Sequence, residues 1–120
     1  TNRPHDRKSA EKLTFLVNNP RFMEPHITEN LKYNAKFCAL ASDLKIPAAT
    51  LAISWLLQQA DNVVAIPGTR KISHLEELAR GGEYELSPEA RTMINEILPI
   101  GWAHGDRYSS AQWVGPERYC

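Results

Sequence analysis

Val63-Val64-Ala65-Ile66-Pro67-Gly68-Thr69-Arg70-Lys71 is the stretch on which the reading of the fold turns. Four apolar residues in an unbroken run, closed by Pro-Gly, predict one short buried strand. A continuous apolar strand between helices is the pattern of a parallel sheet covered on its faces. The chain offers no second convincing strand, yet buried backbone N–H and C=O groups need partners. The run therefore reads as the closing part of a larger α/β fold, within a chain that is mostly α-helical.

Helical spacing dominates on either side. Over 29–44 the apolar positions Leu31, Ala35, Cys38 and Ala41, widened by Phe37 and Leu44, predict an amphipathic helix with Thr28 as its N-cap. Pro47 suits the first turn of a second helix running to about Gln59, apolar around much of its circumference and so expected to pack deeply. A third helix is expected from near Lys71 to Arg80, closed by Gly81-Gly82. Ser87-Pro88-Glu89 supplies the N-cap, first-turn proline and dipole-matched carboxylate of a fourth, ending at Pro99. Residues 1–28 read as a proline-punctuated loop region with one helical turn, and 100–120 as an irregular, aromatic-rich tail.

The chain has 120 residues, with 14 basic and 14 acidic side chains, so a nucleic-acid or anionic-membrane surface built on bulk charge is not expected. Hydrophobic residues at 42% and charged residues at 23% give globular composition. A complete (β/α)8 barrel needs roughly 250 residues, so this length excludes one. The first residue is Thr1, which reads as a processed chain or a piece of something longer. No apolar run is long enough for a membrane span, and no secretion signal is legible. Cys38 and Cys120 lie far apart without zinc spacing, which predicts a reducing, cytoplasmic setting.

The turn after the strand carries the chemistry. Gly68, Thr69, Arg70 and Lys71 bring a hydroxyl and two cations to a helix N-terminus, an arrangement suited to phosphate. It also reads as a plain strand-to-helix turn with solvated basic residues, and composition alone leaves both open. His5, His26, His74 and His104 are too scattered for a metal site. Trp102, Tyr108 and Trp113 suit either an aromatic substrate wall or the seal of a helical core.

Taken together, Ile46-Pro47-Ala48-Ala49-Thr50-Leu51-Ala52-Ile53-Ser54-Trp55-Leu56-Leu57, residues 63–70 and Leu75-Glu76-Glu77 closely resemble the carboxyl-terminal third of aldo-keto reductases. Pro20-Arg21-Phe22, Glu29-Asn30-Leu31 and Gly105-Asp106-Arg107-Tyr108 resemble further landmarks of that family, in collinear order. The resemblance implies a carboxyl-terminal fragment of a TIM barrel, with 29–99 as its helix-helix-strand-helix-helix segment. It implies an NADP(H)-dependent oxidoreductase acting on aldehydes or ketones. Gly68, Thr69 and Arg70 would then meet the cofactor 2'-phosphate, His74 would add a basic contact, and Glu77 would approach the adenine or ribose. Leu78 stands where members usually carry asparagine, and leucine makes no adenine-edge bond. Trp102, Tyr108 and Trp113 would belong to the substrate loop. The family's catalytic tyrosine, lysine, aspartate and histidine precede the region represented here, so no catalytic residue is carried over. The alternative expectation is a non-catalytic helical fragment that self-associates, or pairs with the missing barrel portion, through its strand.

Overall fold

The computed structural model describes residues 6–14 and 16–113, which form two compact units. One comprises Thr1–Ala35 with Ile100–Cys120, and the other Lys36–Pro99. Cys120, His5 and Tyr119 lie outside the described residues.

In the first unit, helix α1 (Arg7–Glu11) starts from a reciprocal cap, with Ser9 N donating to Asp6 Oδ1 at 2.8 Å and Asp6 N to Ser9 Oγ at 3.1 Å. Arg7 pairs with Glu11 at 2.9 Å and donates to the carbonyls of Val17 and Phe22, which folds the following loop back on the helix. A 3-10 turn at Pro20–Phe22 follows Asn19, whose side chain accepts from Arg21 N. Helix α2 (His26–Asp43) begins two residues before the expected cap, so Thr28 lies inside it and donates to Glu24 at 2.8 Å.

α2 ends in a Schellman turn: Lys45 N donates to Ser42 O at 2.9 Å and Ile46 N to Ala41 O at 3.0 Å. The left-handed residue is Lys45, at φ 58°, where glycine is usual. Ile46 then packs on the core of the second unit, made by Leu40, Ala41, Leu51, Leu86, Ala90 and Ile94. Helix α3 (Ala48–Leu57) takes Pro47 as its N-cap residue, one position outside the helix. Leu51 is fully buried, whereas Ala52 and Leu56 on the other face are exposed, so the helix is only half enclosed.

Within this apolar helix runs a polar stripe at four-residue spacing: Thr50, Ser54 and Gln58. Thr50 Oγ1 donates to Glu77 O at 2.7 Å, Ser54 Oγ donates to Tyr84 O, and Gln58 Nε2 reaches the same carbonyl at 2.9 Å. Gln58 Oε1 accepts from Leu86 N at 3.2 Å. The stripe therefore fixes helix α4 (Ile72–Glu83) and the segment after it against α3, and no buried side-chain polar atom among the described residues lacks a partner.

α4 does not stop at Gly81-Gly82 as expected, but continues to Glu83. The reason is contact. A Cβ on Gly81 would lie 2.6 Å from Ile53 Cβ and 3.0 Å from Thr50 O, so this glycine lets α3 and α4 approach. Helix α5 (Pro88–Ile97) starts as its cap signal predicts, with Ser87 Oγ accepting from Ala90 N at 3.1 Å. Hydrogen bonding from the Glu89 backbone amide, then from Ser87, holds the Glu89 carboxyl below its ordinary range.

The expected buried strand is the main correction. Residues 63–66 form no strand, and no strand occurs among the described residues. Val64 and Ile66 are 80% and 94% exposed. Apolar character made the run a strand candidate, but a strand exists only when another backbone completes its hydrogen bonds, and none does so among the described residues.

Candidate functional site

The turn at 67–71 is shaped by its exposure. A Cβ on Gly68 would meet no heavy atom of the described residues within 4 Å, and Thr69, Arg70 and Lys71 are exposed. Thr69 Oγ1 accepts from Lys71 N at 3.3 Å, which folds the hydroxyl toward the start of α4. Lys71 is the N-cap residue of α4 but provides no side-chain cap, and the first turn carries no acidic residue. The first amides of a 12-residue helix, its positive dipole end, a hydroxyl, a guanidinium and an ammonium are thus available at one place. This donor set suits a dianionic phosphate. His74 and Glu77 follow on α4, each half-buried, and the Glu77 carbonyl is held by Thr50.

The other unit contains a cavity of about 540 Å³. Phe22, Ile27, Leu31, Trp102 and Tyr108 supply much of its apolar wall, with Arg21 and Arg107 among its polar lining. Of the three tail aromatics singled out in the sequence, Trp102 and Tyr108 reach this wall. Trp113 packs edge-to-face on Tyr108, ring centroids 5.3 Å apart.

Three side chains join segments more than seventy residues apart to build the cavity. Asn19 Nδ2 donates to Arg107 O at 2.7 Å, and Arg21 Nε donates to Gly105 O at 3.3 Å. Asn30 Nδ2 donates to His104 O at 2.9 Å while its Oδ1 accepts from His104 N at 2.8 Å. Gly105, at φ +82°, allows this closure, since a Cβ would press on the His26 ring at 3.0 Å and the Pro20 carbonyl carbon at 3.1 Å. Pro20-Arg21-Phe22, Glu29-Asn30-Leu31 and Gly105-Asp106-Arg107-Tyr108 are family landmarks whose residue types alone assign them no role. The signal that they act together is their long-range pairing, which spacing does not reveal. No group of three histidine, cysteine or carboxylate side chains among the described residues is placed to hold a metal ion.

Comparison with known proteins places the chain in a family. The model of the aldo/keto reductase family matches residues 1–99. Probable aldo-keto reductase 1 of Glycine max is 36% identical over 93 residues, covering 78% of this chain and 27% of that protein. The aldo-keto reductase yakc of Schizosaccharomyces pombe, whose name specifies NADP(+), is 30% identical over 89 residues, 74% of this chain and 26% of its own length. An uncharacterized oxidoreductase of the same organism is 36% identical over 58 residues, 48% of this chain and 19% of its own. The chain thus spans about a quarter or less of the length of these relatives. No solved structure matches it significantly. With the family model covering most of its length, the chain belongs to the aldo/keto reductase family.

Proposed function

We propose that this chain is the carboxyl-terminal part of an NADP(H)-dependent aldo-keto reductase and anchors the cofactor 2'-phosphate for reduction of aldehydes or ketones. The observation that carries this reading is the exposed Thr69-Arg70-Lys71 turn at the uncapped start of α4. The NADP(+) in the name of the yeast relative supports the choice of cofactor. Arg70 grips two phosphate oxygens, the Thr69 hydroxyl and α4 amides take others, and Gly68 leaves space for the approach. His74 and Glu77 serve the adenosine portion, while Trp102, Tyr108 and Trp113 belong to the substrate side. NADPH supplies a hydride in such reactions. None of this chain's residues is assigned a proton-transfer role, and the chain by itself is expected not to oxidise NADPH when a carbonyl compound is added.

Fluorescence titration of the 120-residue chain with NADPH and NADH tests the anchor. Absolute affinity is expected to be weak, because an open turn still has to be ordered on binding. NADPH should nevertheless bind about tenfold or more tightly than NADH, the scale of a charge-assisted bidentate contact. Arg70→Ala should erase that difference and leave NADH binding unchanged. An NADPH preference that survives the substitution contradicts the proposal.

A second reading, self-association or pairing with the remaining barrel portion through residues 63–66, draws on the exposure of Val64, Ile66 and Ile72. Sedimentation over a range of concentrations is expected to show a dimer or higher species under this reading, and a monomer throughout argues against self-association.

A further inference from the structure

We infer that the cavity of the first unit binds a small organic anion, a carboxylate carried on an apolar body of aromatic size. Its volume of about 540 Å³ is in the range that encloses small ligands. Leu16, Phe22, Ile27, Leu31, Trp102 and Tyr108 give it a largely apolar lining. Two arginines, Arg21 and Arg107, line it as well, and no aspartate or glutamate does among the described residues.

The polar groups around the cavity divide into spent and unspent. Asn19 uses its amide nitrogen on Arg107 O and its oxygen on Arg21 N. Asn30 spends both ends of its amide on Arg21 O and on the backbone of His104. These asparagines are structural ties, satisfied by the chain itself. The arginines are different. Arg21 is held at Nε by Gly105 O, and its two terminal nitrogens have no partner among the described residues. Arg107 makes no side-chain hydrogen bond there, its guanidinium lying 5.6 Å from the Tyr108 ring centroid. A guanidinium anchored at Nε presents its other donors in a fixed plane, which matches the two oxygens of a carboxylate.

Aromatic backing keeps the walls in place. Trp102 packs on Tyr33 with ring centroids 5.6 Å apart, and Tyr108 on Trp113. A largely apolar cavity with two cations and no carboxylate among its described lining residues favours ligands that are both apolar and anionic over neutral or cationic ones. No residue of the 67–77 segment lines this cavity, so its lining shares no residue with the nucleotide anchor. For the complete enzyme it implies carbonyl substrates that bear a carboxylate, an extension that rests on the reductase reading above.

Binding is measured without cofactor, so that failure here is distinct from failure of that reading. The probes are 4-phenylbutyrate and its uncharged amide, titrated calorimetrically into the 120-residue chain. The acid should bind at least tenfold more tightly than the amide. Arg21→Gln and Arg107→Gln should each weaken the acid about tenfold and leave the amide unaffected. Arg107→Gln removes no hydrogen bond among the described residues, only the guanidinium's contact with the Tyr108 ring, so it should stay close to the wild-type melting temperature and remains informative if Arg21→Gln loosens the tail. Equal binding of acid and amide, no binding of the acid, or an Arg107→Gln variant with undiminished acid affinity overturns the inference.

Discussion

Replacing Gly81 by alanine should destabilise the second unit by about 1–2 kcal/mol, even though alanine is the better helix former. Propensity alone favours the substitution by about 0.5–1 kcal/mol. The added methyl, however, would lie 2.6 Å from Ile53 Cβ, 2.8 Å from Ile53 Cγ2 and 3.0 Å from Thr50 O. Neither Cβ of a β-branched residue nor a helix carbonyl moves out of the way by a rotamer change. Helices α3 and α4 must separate, which stretches the Thr50 to Glu77 and Ser54 to Tyr84 hydrogen bonds along the polar stripe. Overpacking costs of about 1–3 kcal/mol therefore outweigh the helical gain.

The neighbouring residue provides the contrast. A Cβ on Gly82 meets only Leu57 Cδ1, at 4.0 Å, so Gly82→Ala should stabilise by about 0.5–1 kcal/mol. Thermal unfolding of the two variants is expected to shift in opposite directions. A Gly81→Ala protein that melts with or above wild type would show that α3 and α4 do not approach as described.

Leu51→Ala should have the larger effect, a loss of about 2–5 kcal/mol. Leu51 is 0% exposed and belongs to the core with Leu40, Leu86, Ala90 and Ile94. Truncation removes the transfer energy of three carbons and leaves a cavity that α2, α3 and α5 cannot fill without losing their own contacts. Folded domains retain only about 0.05–0.15 kcal/mol per residue, so a loss of this size consumes much of what holds the unit together. Leu56→Ala, on the same helix at 37% exposure, should cost about 1 kcal/mol or less. Urea unfolding of the pair separates burial from helix propensity, because both substitutions exchange the same residue types. Equal midpoints for the two variants would mean that Leu51 is not the core residue of α3.

Much of the local structure was legible in the chain. Ser87-Pro88-Glu89 encodes the start of α5 because cap, proline and carboxylate all act within one turn. The apolar spacing of α2 is likewise local, although the helix starts at His26, before the expected cap at Thr28. The phosphate-suited turn was visible as residue types, since Thr69, Arg70 and Lys71 are contiguous and carry their chemistry with them.

What spacing could not show depends on partners distant in the chain. A glycine pair after Arg80 looks the same whether it caps a helix or admits a neighbour, and only Ile53 and Thr50 across the contact decide between them. The cavity is assembled from 16–34 and 102–108, joined by Asn19, Arg21 and Asn30 to tail carbonyls, a pairing with no signature in either segment alone.

The sequence by itself determined the helices, the cationic turn and the family, because caps, periodicity and contiguous motifs are short-range properties. Tertiary structure decided that residues 63–66 are not a strand, because strand formation needs hydrogen bonds from another backbone and no strand pairing occurs among the described residues. It also decided which glycine is packed and which arginines face a cavity, because both follow from groups brought together across the fold.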